Sequence, residues 1–430
     1  MKQQLFHKPA VSSGQLLEGY AVENPTAVTP SLTGIFGPDL LTEGIRGKLK
    51  ELVQVLLEGE VEEALDAAKY ARAEVRAGYR NGTKPRTIHT SMGSVDVAMP
   101  RARLHRARGA DQEWQSQILP RFERRSRSLD ETLLSMYFAG ANTRRVKRTL
   151  KPLLSEAPLG KNVVSRLVGR LAAHVESWKA RSLKEETYPY LYLDATNLKV
   201  RVFRKIRKVP ILVVLGVRQS GQKEVLAMEP LVKETTSAWS LVIEDLVARG
   251  LKRPLLAIID GNAGLRSALT TAWPNLPIQR CTVHKVRNLQ DHCPVDAYPQ
   301  VKEDYDRIVE AKNEAEAKAA YHAFLRKWSK ELPGVVKSLE EAGEELLTFY
   351  RFPPEQWRSL KTTNPIERLN LEFKRRVKTQ CSLPSEKSAI HLLYGLLLSG
   401  QIRFRKINGW QKLKDVIEKS KKGELMLKAS

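Results

Sequence analysis

The stretch that most limits how this chain can fold lies in its middle, where helical spacing gives way to closely spaced apolar strands. Residues 188–202 read as a strand, 209–218 as a second and 222–231 as a third, with Ser220-Gly221 as the hairpin turn between the last two. A helix over 237–249 follows, closed by Gly250. Residues 255–259 then form a short buried strand, 264–273 a helix, and 277–283 a further strand leading into a helix through Asn288. A three-stranded meander followed by strand–helix units predicts a mixed sheet with helices on its faces, an α/β fold.

The element order is that of a ribonuclease H-like domain, and the rest of the chain divides around it. Residues 1–38 scatter Pro, Gly, Ser and Thr without periodicity and are expected to be a flexible arm. Residues 39–125 hold a helix, with Leu49, Leu52, Val53, Leu56 and Leu57 at helical spacing, then a turn at Gly78-Tyr79-Arg80-Asn81-Gly82 and a β-hairpin over 86–101 that turns near Gly93. Residues 126–185 are helical and basic: helices over 129–138, 143–154 and 161–178, broken at Gly140, make a helix-turn-helix pattern. Arg144, Arg145, Lys147 and Arg148 on the second helix, and Arg166 and Arg170 on the third, are candidate DNA contacts. The sheet domain begins at 186 and runs to 295. Residues 296–360, rich in Ala, Glu and Lys, interrupt it with helices that Pro353-Pro354 stops. Helices over 365–378 and 385–404 complete the domain within 361–410, and 411–430 is a C-terminal tail.

Charge narrows the partner. Lys and Arg outnumber Asp and Glu by 72 to 48 among 430 residues, for a net charge of +24, which suits a polyanion such as nucleic acid. The longest apolar runs, 210–217 and 392–398, are too short to span a bilayer, the first thirty residues lack the apolar core of a signal peptide, and three cysteines do not suggest a disulfide framework. The expectation is a reduced, cytoplasmic protein with no membrane partner. Charge alone leaves polymerases, repressors, nucleases and RNA-binding proteins open.

Three carboxylates carry candidate chemistry. Asp194 ends Tyr190-Leu191-Tyr192-Leu193-Asp194, and alternation puts it on one face with Tyr190 and Tyr192. A carboxylate in a strand this apolar is costly unless it is paired or bound to metal. Asp260 stands at the carboxyl end of the 255–259 strand, where α/β sheets place their ligand sites, although taken alone it reads better as a turn or helix-capping residue. Glu367 follows Thr362-Thr363-Asn364-Pro365-Ile366, where Asn364 reads as a helix N-cap and Glu367 as the glutamate of a capping box. From residues alone, cap and metal ligand stay equally open. Lys374, Arg375 and Arg376 follow on the same helix and could hold phosphates.

In order along the chain come Gly78-Tyr79-Arg80-Asn81-Gly82, Val97-Ala98-Met99-Pro100-Arg101, Tyr188 to Ala195, Ile259-Asp260-Gly261, Gln279 to Asn288 and Thr362 to Asn370. In this series the chain resembles the Mutator-type transposases of bacterial insertion sequences, an acidic-triad family. The resemblance implies a metal-dependent DNA strand cleavage and transfer enzyme whose triad falls on Asp194, Asp260 and Glu367. It implies two Mg²⁺ ions, with Mn²⁺ as a substitute, and a helical insertion between Asp260 and Glu367. It implies double-stranded DNA partners, namely the terminal inverted repeats of the element and the target, with a homodimer pairing the two ends. Cys281 and His284 form a supporting motif with Asn370. His284, Lys285, Arg287, Lys374 and Arg375 are expected to touch DNA.

Other readings compete. Cys281 and His284 with His292 and Cys293 offer four zinc donors, but the irregular spacing argues against that site. His284-Lys285-Val286-Arg287 imitates a tyrosine recombinase, with Tyr321, Tyr350 or Tyr394 as nucleophile, and the strand-rich middle argues against it. A non-catalytic DNA-binding protein derived from a transposase would not need all three carboxylates. Trp239, Trp273 and Trp328 read as packing residues, with Trp328 the exception by what the resemblance implies, a Trp of the insertion near the active site.

Overall fold

The computed structural model describes residues 39–71, 76–105, 110–154, 162–231, 235–380 and 382–423. The arm expected over 1–38 lies outside them, as does the end of the tail at 424–430. Helix α1 (Leu40–Leu65) is capped by Asp39, whose side chain accepts from the Thr42 amide. It lies across a three-stranded sheet of β1 (Gly78–Thr90), β2 (Gly93–Leu104) and β3 (Gln112–Glu113), ordered β1-β2-β3. Leu57 packs with Ile88, Val95 and Val97, while Leu52 and Leu56 of the apolar series stay substantially exposed. The turn expected at 78–82 is instead part of β1. The register shifts between Arg80 and Thr83, and Gly82 sits at φ +71, so the glycine serves a β-bulge.

Helices α2 (Arg127–Phe138), α3 (Thr143–Leu154) and α4 (Val163–Lys179) form the basic helical unit. Ser126 caps α2, Gly140 at φ +99 ends it, and Leu129, Leu133, Val146, Leu150, Val163 and Leu167 meet in one small core. Main-chain bonds from His89 to Arg124 and from Ser126 to His89 join this unit to the hairpin.

The central sheet is mixed. Its strands β4 (Tyr190–Val202), β5 (Lys205–Val217), β6 (Lys223–Pro230), β7 (Leu256–Ile259) and β8 (Ile278–Arg280) stand in the order β6-β5-β4-β7-β8. The β4–β5 and β5–β6 pairs are antiparallel, and β4–β7 and β7–β8 are parallel. Strand β5 starts four residues earlier than expected, because Phe203 and Arg204 both adopt positive φ and make a two-residue hairpin turn. The polar run Lys205 to Lys208 hides this in the sequence, since both faces of that end of the strand are exposed.

Each face of the sheet buries its own core, as the two-residue side-chain period requires. On one side Leu191, Leu193, Leu212 and Val214 pack under α5 (Thr236–Ala248) and α6 (Ala263–Ala272). On the other, Tyr190, Tyr192, Val213 and Leu215 meet the helices that follow α7 (Thr282–Asp291). These are α8 (Tyr298–Val309), α9 (Glu314–Trp328), α10 (Pro333–Ala342), α11 (Pro354–Leu360), α12 (Asn364–Val377), α13 (Glu386–Leu398) and, within the expected tail, α14 (Leu413–Lys421). Pro353-Pro354 does not end the helical run as expected; Pro354 opens α11, where its missing amide costs nothing. The Tyr190 hydroxyl donates to Gln356 Oε1 at 2.6 Å and that of Tyr192 to the Ser359 carbonyl at 2.7 Å, tying β4 to α11. Trp239, Trp273 and Trp328 are all buried. Trp328 donates its indole N–H to Asp304 at 3.0 Å, so it is a packing residue within the insertion.

An ion-pair network fastens the meander to the segment before β4. Glu224 accepts from Arg218 at 2.7 Å, Arg181 at 3.1 Å and the Tyr188 hydroxyl at 2.9 Å. Burial by itself would raise the Glu224 carboxyl, but the hydrogen bonds from Arg218 and Tyr188 outweigh it and hold it below its ordinary value. The network therefore contributes fully above the ordinary glutamate value of 4.5 and loses that contribution as the pH falls through the lower folded-state value. Glu224→Gln is expected to lower the Tm at pH 7 by roughly 3–6 °C and to flatten its fall in acid. Thermal melts from pH 3 to pH 7 check this, and parallel curves for the two proteins would refute it.

Candidate active site

The parallel pairing of β4 with β7 sets Leu193 opposite Ile259, so Asp194 and Asp260 are the next residues on adjacent strands. Adjacent backbones are about 4.8 Å apart. Leu193 and Ile259 point into one core and Tyr192 and Ile258 into the other, and the alternation sends both aspartates to the side of α12. Asp194 Oδ1 accepts from the Ala195 amide at 2.8 Å. Asp260 Oδ1 accepts from the Asn262 amide at 3.1 Å, and it is Asn262 that caps α6, through Leu265. The helix-capping role open to Asp260 in the sequence thus belongs to its neighbour. Gly261 at φ +113 is required between them: a Cβ there would lie 2.2 Å from Arg280 Nη2.

Strand β8 stops at Arg280, three residues sooner than expected. The Cys281 amide still bonds the Ile259 carbonyl at 2.8 Å, but Cys281 is already the N-cap of α7. His284 therefore comes from the first turn of a helix, not from a strand end. The start of α12 abuts it: the Thr282 amide donates to the Lys361 carbonyl at 3.0 Å and the Thr363 amide to Cys281 Sγ at 3.3 Å. The N-cap of α12 is Thr363 rather than Asn364. That shift of one residue puts Glu367 past the capping-box position and leaves its carboxylate free of the helix amides. Glu367 Oε1 accepts from Thr363 Oγ1 at 2.8 Å and lies 3.6 Å from His284 Nδ1. One turn along the same face, Asn370 Nδ2 donates to Asp194 Oδ2 at 2.7 Å. Asn370 Oδ1 is buried and has no hydrogen-bond partner.

These contacts perturb the ionisable groups. Burial, then the charge of Asp260, pushes Asp194 up to about 6, and Glu367 adds to the rise. The hydrogen bond with Cys281 raises His284 to about 9 against its partial burial, with help from Glu367 and Asp260. Burial opposes ionisation of Cys281, but the bonds to His284 and Thr363 prevail and lower it. Cys281, His284 and Glu367 offer donor atoms within 4.8 Å of one another, the one such group of three among the described residues. The four-donor zinc set does not assemble, since His292 and Cys293 sit at the far end of α7.

Lys285 is not presented to solvent. It is 2% exposed, and its ammonium bonds the Ser338 carbonyl at 2.8 Å and Glu341 at 2.7 Å, so in place of the expected DNA contact the buried ammonium pairs with the exposed carboxylate of Glu341, joining α7 to α10. Arg287, Arg144, Arg145, Arg148, Lys374 and Arg375 are exposed. Arg144, Arg145 and Arg148 stand apart from the acidic residues, on α3. Of the tyrosines that imitate recombinase nucleophiles, Tyr350 spends its hydroxyl on the Ile308 carbonyl and Tyr394 packs on Trp178. Thr363 is the site residue that sequence reasoning missed. Its signal was present in the Thr-Thr-Asn-Pro helix start, but the cap was assigned one position late.

The fold is a mixed α/β sheet with carboxylates gathered at one edge, and similarity to known proteins gives the class. The family model described as "Transposase, Mutator family" matches residues 37–406, and the chain belongs to that family. It is 33% identical to the transposase for insertion sequence element ISRM5 of Rhizobium meliloti, over 88% of this chain and 93% of the relative. It is 32% identical to the transposase for IS1081 of Mycobacterium tuberculosis, over 84% of each chain. The transposase for IS256 in transposon Tn4001 of Staphylococcus aureus is 29% identical, over 80% of this chain and 86% of the relative. No described helix is long and apolar enough to cross a membrane.

Because Cys281 is the main cause of the high His284 value, Cys281→Ala should move the imidazole titration down from about 9 toward the ordinary 6.5 in metal-free protein. NMR titration of the ring signals measures it, and an unmoved midpoint would show that the thiol does not control the histidine.

Proposed function

We propose that this transposase cuts and joins DNA strands at a two-metal site formed by Asp194, Asp260 and Glu367. The observation that carries the proposal is the bond from Asn370 to Asp194, which draws the helix bearing Glu367 onto the strand bearing Asp194, with Asp260 on the next strand. The upward push on Asp194 supports it, since burial first and then the charges of Asp260 and Glu367 oppose its ionised form. Two Mg²⁺ ions, or Mn²⁺ in their place, would relieve that repulsion and supply charge for the attacking and leaving oxygens of an in-line displacement. Mg²⁺ suits a site of a few carboxylates with positions left for water and phosphate oxygens. The protein's own residues hold the carboxylates: Asn370 fixes Asp194, Asn262 fixes Asp260, and Thr363 fixes Glu367. Protonated His284 beside Glu367 can donate to a phosphate oxygen.

The strand order, three antiparallel strands followed by two parallel ones, supports a ribonuclease H-like catalytic domain split by the helices of 296–360. The exposed Arg144, Arg145 and Arg148 opposite the buried Val146 support DNA end recognition by the helical unit of 126–185. Double-stranded element ends and target DNA are the proposed partners, handled by a homodimer in the cytoplasm.

Asp194→Asn tests the proposal. It removes metal-binding charge but none of the cations that attract DNA. With labelled element-end DNA and Mg²⁺, cleavage is expected to fall by about three orders of magnitude, the scale of losing a charge-stabilising group, while end binding is retained. A folded Asp194→Asn protein that still cleaves would exclude the triad.

A further inference from the structure

The side of α12 next to Glu367 borders a groove of about 620 Å³. Its walls are the end of α11 with Arg358, the α12 face with Arg368, Glu372 and Arg375, and a segment of the chain after α13 with Arg403 and Arg405. Positions 368, 372 and 375 repeat at helical spacing and so share a face. Position 367 is about 100° round the helix, which makes the groove and the acidic edge neighbouring faces of one element.

The segment 401–408 is irregular, yet its backbone is pinned along its length. The Phe404 carbonyl accepts from Gln222 at 3.2 Å and that of Arg405 from Lys223 at 2.5 Å. The Ile407 amide donates to Gly221 at 3.1 Å and that of Asn408 to Ser359 Oγ at 2.9 Å. What this anchoring leaves free is the side chains of Arg403 and Arg405, both exposed. Glu372 is the one acidic residue lining the groove, and Arg375 at 3.1 Å and Arg376 already occupy it. Arg358, Arg368, Arg403 and Arg405 form no salt bridge with any described carboxylate, whereas arginines elsewhere, such as Arg80, Arg181 and Arg280, do. Four uncompensated guanidinium groups round one concavity repel one another, and nothing in the packing requires them. A polyanion relieves that repulsion, and the guanidinium fork matches a phosphate oxygen pair.

We infer that this groove is a track for the phosphodiester backbone of DNA on one side of the bond cut at the acidic edge. The inference rests on the DNA-cleaving reading above and adds to it a second contact surface, distinct from α3. The track is assigned to phosphate because its free donors are guanidinium groups beside the acidic edge and Phe404 is half-buried, not splayed for base stacking.

The test uses full-length protein with Arg403→Ala and Arg405→Ala combined, residues outside the acidic site. Element-end duplexes are prepared whole and truncated on either side of the cleaved bond. On the whole duplex the variant should bind more weakly than wild type, with its log–log salt slope reduced by roughly 2, one unit for each lost phosphate contact. The loss should be the same for altered base sequence, should disappear on one of the two truncated duplexes, and should be partly restored by lysine at both positions. Since neither arginine makes an ion pair, the Tm should not change. A variant with wild-type affinity and salt slope, a defect that persists on both truncated duplexes, or a preference of the groove for RNA over DNA would overturn the track. If wild-type protein itself neither binds nor cleaves the whole duplex, the DNA-cleaving reading fails, and the groove assignment fails with it.

Discussion

Asp194, inside β4, and Asp260, just past the end of the parallel strand β7, lie on the same face of the sheet, and much of the structure can be understood as what holds that unfavourable pair in place. Two carboxylates on adjacent backbones repel, and burial worsens the cost, as the rise of Asp194 to about 6 shows. The opposing term is the apolar sheet beneath them. Leu191, Leu193, Ile258 and Ile259 are fully buried in two cores, one on each face, and their burial fixes the β4–β7 register that brings the acids together. A one-residue slip would turn the whole apolar set to the wrong face, so the position of the acids is only as variable as the core allows, which is hardly at all.

Two helices complete the edge from opposite directions in the sequence. Both α7 and α12 begin there, with Cys281 and Thr363 as their N-caps in contact through the Thr363 amide and Cys281 Sγ. Helix N-termini carry partial positive charge, so this meeting point favours the carboxylates and any phosphate that joins them. Cys281 is thus more than a small buried residue: it closes β8, caps α7, receives Thr363 and raises His284. The insertion contributes from the far side, where Glu341 of α10 neutralises both Arg280 and Lys285, the two buried cations flanking this corner.

The charge of the chain is accordingly of two kinds. Arg280, Lys285, Arg181 and Arg218 are spent within the fold on carboxylates that need them. Arg144, Arg145 and Arg148 on α3 and Arg358, Arg368, Arg403 and Arg405 of the groove beside α12 are exposed and form no salt bridges with described carboxylates. A net charge of +24 does not distinguish these populations; solvent access and partners do.

The sequence by itself determined the local elements and the list of chemical candidates. Alternation marked β4 and placed Asp194 beside Tyr190 and Tyr192, glycine signals closed α2 and α5, and the order of strands and helices was enough for a mixed sheet, because all of these depend on neighbours within a few residues, whereas α13 stops at Leu398, short of the expected 404. What the tertiary structure decided was which candidates face one another. Whether Glu367 closes a capping box turned on a helix start one residue away. Asp260 was relieved of capping by Asn262, and Lys285 is buried and ion-paired because a later helix supplies Glu341. The Asn81-Gly82 bulge and the Phe203-Arg204 turn were likewise hidden, since each depends on the register of two paired strands rather than on its own residues. Local propensity acts through the backbone of adjacent residues, whereas charge pairing, burial and the meeting of Asp194 with Asn370 depend on distances that only the packed chain defines.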